Sequence, residues 1–230
     1  MMSDKRPEPD EPQVAGNPGI GCVIIAMAFA MFTGIATYGI WAGIKQDRDI
    51  ATFTDKARIP VPSELGTAEE WTSLKARMKD FEAKALQGVE AARLELGIRD
   101  LNLAVANSDL LLESREMVYF KNIEKEGLRV AISMPINRIA FWKEPRYLNG
   151  TGLIVIESSE TQLFLRMKTV ESPGKTIEKG FIERLAQSDL LAPYKAEDAP
   201  LEKVIKAITS VKIDGDKVII EADPAKRGET

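Results

Sequence analysis

Between Ile20 and Ile44 the chain runs through 25 residues without a charge, IGCVIIAMAFAMFTGIATYGIWAGI. At about 1.5 Å per residue this makes roughly 37 Å of helix, enough to cross a hydrocarbon core of about 30 Å with some tilt. A buried helix of a soluble domain normally carries a polar stripe, and this run has none. Tyr38 and Trp41 lie near one end, where amphipathic rings favour the headgroup layer. The pattern predicts a transmembrane helix over residues 19–44. The rival reading is a removable leader cleaved near Gly34-Ile35-Ala36; free leaders have an apolar region of about 7–15 residues, so the length argues for retention. Cys22 stands at the start of the apolar run, whereas a lipoprotein cysteine follows it, so no lipid anchor is expected there.

The remaining pattern divides in three. Residues 1–18, MMSDKRPEPDEPQVAGNP, are acidic and proline-rich and predict a disordered tail. Residues 45–66 carry a short apolar pattern, Ile50 and Phe53, then Pro60 and Pro62, which predicts a helical extension of the span followed by an extended linker. A single domain over 67–230 opens with TAEEW, where Thr67 and Glu70 have the spacing of a capping box. Trp71, Leu74, Met78, Phe81, Ala85 and Val89 then recur three and four apart. The stripe fits a core helix over a sheet, or a docking helix; it is too short for the three or four heptads of a coiled coil.

Beyond the helix the period changes. ARLELGIRDLNLAVANS reads as a short strand and a helix with Ile98, Leu101 and Val105 inward. Leu128, Val130, Ile132 and Met134 alternate with Arg129, Ala131 and Ser133 after a turn at EKEG. Leu163, Leu165 and Met167 oppose Phe164, Arg166 and Lys168 after a turn at SSET. Shorter helices are expected through Ile177–Leu185 and Leu201–Ile208, and a last hairpin turns at DGD, Asp214 to Asp216. The fold class is α+β: a long amphipathic helix and a curved antiparallel sheet with two or three short helices on one face.

The order LELGIRDLNLAVA, hairpins, RYLNGTGLIVI, GKTIEKGFIERL and SVKIDGDKVII resembles a group of uncharacterised single-pass bacterial membrane proteins. It is more remotely similar to the YpmS-type and LmeA-type envelope domains, which also place a Leu-Asn pair, here Leu101 and Asn102, ahead of an antiparallel sheet. The resemblance spans roughly residues 92–222. It implies a membrane-tethered envelope domain that handles lipid, and it supplies no catalytic residues.

Composition narrows the chemistry. With 44% hydrophobic and 29% charged residues and a net charge of −4, the chain offers no basic field for nucleic acid. It has no histidine, and Cys22 is its only cysteine, so Ser–His–Asp and Cys–His nucleophiles, histidine-ligated zinc and HExxH sites are excluded. No glycine-rich phosphate loop is present, and no cofactor or metal site is read. Carboxylate pairs and Ser–Lys pairs remain as an enzymatic alternative; the reading adopted is non-enzymatic. Orientation divides the signals. Lys45, Arg48, Lys56 and Arg58 follow the span and only Lys5 and Arg6 precede it, a bias placing the C-terminal side in the cytoplasm. A single N-terminal span ahead of a folded domain is, however, commonly a signal-anchor. The reading adopted is a bacterial inner membrane with the C-terminal domain outside.

Several residues are candidates for function. Gly39 and Gly43 form a GxxxG, and Ala26, Ala30 and Gly34 a row of small residues, which would let two spans pack as a homodimer. Asn149 in NGT fits a glycan acceptor only in a eukaryotic secretory chain. The DGD pair fits turn chemistry better than a cation site. Ile132, Met134, Leu163 and Leu165 are the expected lining of an apolar-ligand cavity. Two functions follow: a membrane-anchored domain that binds lipid or another apolar ligand near the bilayer, or an assembly subunit whose Trp71 helix docks a partner. A cavity between sheet and helix would favour the first, a solid core with an exposed stripe on that helix the second.

Overall fold

The computed structural model describes residues 18–136, 145–158, 162–197 and 199–224. Its described residues form two compact units, one ending at Gln46 and one beginning at Asp47. The first is built on helix α1 (Pro18–Phe53). From Ile25 onward this helix is long and apolar enough to cross a membrane. Its large side chains, among them Phe29, Phe32, Ile35 and Ile40, are exposed.

The second unit is α+β. It contains α2 (Ala68–Gln87), β1 (Ala92–Gly97), α3 (Ile98–Asn107), a 3-10 helix (Asp109–Ser114), β2 (Val118–Glu124), β3 (Gly127–Ile136), β4 (Arg146–Ser158) and β5 (Leu163–Glu171). Then come α4 (Lys179–Gln187), α5 (Ala192–Glu197), α6 (Ala199–Ala207), β6 (Ser210–Asp214) and β7 (Lys217–Ala222). The strands are divided between two antiparallel sheets, a four-stranded meander β2-β3-β4-β5 and a three-stranded sheet β1-β7-β6. Hairpins turn where EKEG and DGD predict them, between Glu124 and Gly127 and between Asp214 and Lys217. Most of the SSET turn lies outside the described residues.

Helix α2 has the predicted cap. The Thr67 N–H donates to Glu70 Oε2 at 2.8 Å and the Glu70 N–H to Thr67 Oγ1 at 3.2 Å, satisfying two amides that a helix start leaves unpaired. At the other end Gly88 adopts φ 63°, a left-handed cap that costs glycine little, and its N–H returns to the Lys84 carbonyl. That stop corrects the six-residue stripe. Leu74, Phe81 and Ala85 are buried, but Val89 lies past the cap and is 83% exposed, and Met78 is on the helix's open flank. The Arg99 guanidinium grips both Glu70 oxygens at 2.9 Å and so ties α3 to α2. In α3 the buried residues are Asn102, Leu103, Val105 and Ala106, with Ile98 and Leu101 half-buried.

The end of α1 and the strap behind it are part of the second unit. Ile50 and Phe53 are buried in its larger core cluster, with the Phe53 ring 4.8 Å from that of Phe181. The helix stops where the Thr54 hydroxyl donates to the Ile50 carbonyl and Asp55 begins an antiparallel bridge with Tyr147. Arg146 donates to the Thr54 hydroxyl and to the carbonyls of Ala51 and Thr54. The strap then crosses the outer face of the meander at Ser133 and Asn149, which are paired in register and almost fully buried. Asn149 uses its whole amide there. Its Oδ1 accepts from Ser133 Oγ (2.7 Å) and the Ile59 N–H (3.3 Å), and its Nδ2 donates to Asp55 Oδ2 and the Ala57 carbonyl (both 3.0 Å). A residue 1% exposed and so engaged is no glycan acceptor in the folded chain.

Asn149→Ala leaves several of these polar groups buried without a partner, at about 1–3 kcal/mol for each that water cannot reach. We expect at least about 2 kcal/mol of lost stability by urea unfolding of the full chain in mild detergent; a midpoint equal to wild type would show that the strap is not held through this amide.

Candidate functional site: an apolar cleft between the sheets

The buried residues of the second unit fall into two clusters. The larger joins Ile50 and Phe53 to the meander and to Val218; the smaller is Phe81, Ala85, Ala92, Leu94, Ala207 and Ala222. Leu96 and Ile220 pack against both. Folded interiors rarely leave voids much larger than a water, yet at this seam there is a cavity of about 430 Å³. That lies within the roughly 300–1,000 Å³ of small-ligand pockets.

The elements set its walls in a definite way. Alternation in β1 and β7 sends Leu94, Leu96, Val218 and Ile220 to one side, and β5 presents Leu163 and Leu165 from the other. Helix α6 closes the space with Leu201, Val204 and Ile205, spaced three and four apart. The buried lining residues, Phe81, Leu94, Leu128, Ile205 and Val218, form the floor. Met78 of α2 and Pro200 of α6 are exposed, so the mouth lies between these two helices. Glu82, one turn from Met78 and half-buried, is the only charged residue among the described lining.

Of the four expected lining residues, Leu163 and Leu165 are in the wall and Ile132 and Met134 are not. Ile132 and Met134 share the inner face of β3 with Leu128, but only the Leu128 end meets the cleft. At the other end that face is filled by the cluster containing Ile50, Phe53 and Leu148. The α6 and β7 residues were not singled out from the sequence, although the spacing of KVIKAI and the alternation of KVIIEA carry the signal. In the first unit, a methyl placed on Gly34 or Gly39 would meet nothing within 4 Å; Gly43 is half-buried.

Two polar devices and one close packing contact hold the cleft's frame. Asn102 of α3 treats Phe120 as a strand neighbour would, donating to its carbonyl at 2.9 Å and accepting its N–H at 2.8 Å. This satisfies edge strand β2 where its register slips between Phe120 and Asn122, and the adjacent Leu101 lines the cleft. Gly152 on β4 provides room for Met167, whose sulfur lies 2.4 Å from where a Cβ would stand. On the far edge, Asp189 accepts the Leu165 and Leu191 N–H groups on one oxygen and Lys195 on the other. Lys195 also donates to the Leu163 carbonyl and lies 5.1 Å over the Phe164 ring. The cleft-lining end of β5 is therefore covered rather than left as an open edge.

A second recess, of about 550 Å³, follows the strap beside Asp55, Asn149 and Lys175. Its charges are largely paired, Asp55 with Lys175 and Arg58 with Glu116. The hydrogen bond from Lys175, then that from Asn149, holds the Asp55 carboxyl below its ordinary value. No group of three acidic or cysteine side chains among the described residues could hold a metal ion. The chain matches no protein-family model, and no curated protein or solved structure matches it.

Burial pushes the Asp189 carboxyl upward, but the hydrogen bonds from Lys195, Leu191 and Leu165 outweigh it, and the net shift is downward. A folded-state pKa below the unfolded value contributes stability above about pH 4, lost as pH falls through the folded value. Asp189→Asn should therefore cost about 1–3 kcal/mol at pH 7 and flatten the acid limb of a urea midpoint series run downward from neutral pH. An acid limb as steep as wild type would remove Asp189 from the account.

Proposed function

We propose that this chain is a single-pass, membrane-anchored, non-enzymatic domain that receives a lipid or another apolar ligand in the cleft between its two sheets. The observation that carries the reading is the cleft itself: about 430 Å³, walled by apolar side chains with Glu82 the one described charge. Such a space costs stability unless something fills it, and a hydrocarbon chain fits its chemistry. Support for the anchor comes from the exposed apolar helix α1. The docking alternative is less favoured, since α2 turns Leu74, Phe81 and Ala85 inward and lends Phe81 to the cleft floor.

The ligand is tested by native mass spectrometry of the full chain released from detergent, beside Val204→Trp, which fills the cleft and leaves the span intact. Wild type should retain a lipid adduct that the variant loses. Lipid on both to the same extent would be annular lipid of the span, and lipid on neither would end the reading.

We further propose that the membrane is the bacterial inner membrane and that the domain stands outside it, α1 acting as a signal-anchor. A reporter active only outside the cytoplasm, fused after Thr230, is expected to be active. A silent reporter on a stably made fusion would reverse the orientation in favour of the Lys45, Arg48, Lys56 and Arg58 bias.

A further inference from the structure

The charges around the cleft restrict what its ligand carries at the polar end. Glu82 shares a helix face with Met78 at the mouth, and no described basic side chain pairs with it. Three lysines of the flanking elements are paired with other acids. Lys84 is 3.0 Å from Asp80, Lys206 is 2.7 Å from Glu202, and Lys195 is 2.8 Å from Asp189 behind the β5 wall. Lys79 and Lys203 are exposed to solvent.

An amphiphile can enter such a cleft in two ways. If its head goes in first, the head meets the aliphatic floor of Leu94, Leu128 and Val218, where an anion would be desolvated with no cation to receive it. If its tail goes in first, the head stops at the mouth beside the Glu82 carboxylate, and an anion is repelled. Either route disfavours a negative head.

We propose that the cleft selects single aliphatic chains whose polar end carries no negative charge, such as long-chain alcohols and acylglycerols, over fatty acids, and that Glu82 is the specificity-determining residue. This inference rests on the cleft being a ligand site. It adds the class of head and the side chain that discriminates.

The test uses the full chain held in a non-ionic amphipathic polymer. A photoactivatable palmityl probe with an alcohol head labels the protein, and labelled peptides from α2 and α6 are quantified while unlabelled palmityl alcohol, palmitylamine or palmitate competes at neutral pH. Palmityl alcohol and palmitylamine should compete at about tenfold lower concentration than palmitate, equivalent to about 1.4 kcal/mol. Glu82→Gln should narrow that gap and Glu82→Lys reverse it. Palmitate competing as well as the alcohol in wild type, or a gap unchanged in Glu82→Lys, would overturn the inference while leaving the cleft a lipid site. If no probe labels α2 or α6 above the level seen in Val204→Trp, the cleft reading itself falls, and this inference with it.

Discussion

A buried polar side chain must find partners for every donor and acceptor it carries, and in this chain that requirement at Asn149 fixes the strap that crosses the meander. Leaving an amide unpaired in the interior costs about 1–3 kcal/mol for each group, so the strap is drawn across the meander with its backbone at Ala57 and Ile59 and its Asp55 carboxylate in fixed positions. The Asp55–Tyr147 bridge and the Arg146 bonds to Ala51 and Thr54 follow from the same placement. The last turns of α1 are thereby held so that Ile50 and Phe53 complete the core on the meander's inner side. On its outer face the meander is covered where the strap crosses Ser133 and Asn149, while Asn122, Thr169 and Glu171 of the same face stay exposed, as is usual for an antiparallel sheet.

The cleft arises from the other half of the architecture. The two sheets share no strand and have different covers: α2 and α6 pack on the three-stranded sheet, α3 and α4 against strands β2 and β5 of the meander. Small residues on the three-stranded side, Ala85, Ala92, Ala207 and Ala222, pack tightly. The larger side chains around Leu96 and Ile220 then have to span a seam they do not fill. The frame around that seam is fixed by polar contacts, Asn102 on edge strand β2 and Asp189 with Lys195 on edge strand β5. Rigid edges around a space left by packing make a preformed cavity, the form in which ligand sites usually occur.

Much of this was legible in the chain, and the parts that were not have a common cause. Local signals were sufficient for the Thr67–Glu70 cap, the turns at EKEG and DGD, the alternation through Leu128 and Val130, and the apolar helix. Pairing between distant segments has no local signature, so the division into two sheets was not visible, nor was the strap's position over Ser133. Ile132 and Met134 were placed on the correct face but at the wrong end of it, because periodicity reports a face and not which neighbour covers each part. Val89 kept the helical spacing past a glycine that ends the helix. Asn149 matched a surface modification motif, and only the three-dimensional contacts reveal it as a core amide.

The pairing of β1 with β7 brings Leu94 opposite Ile220, the first strand of the domain against the last. During synthesis, at about 5–20 residues per second, Leu94 waits roughly 6–25 s for its partner to be made. Through most of that interval the cleft lacks Ile205 and Val218 of its floor, and β1, with apolar Leu94 and Leu96, is without its only partner strand, the kind of segment that associates with other chains. The site is thus the last part of the molecule to come into being. The newborn chain meets its surroundings with that hydrocarbon surface still open, in the period when a long-chain amphiphile would find it most accessible.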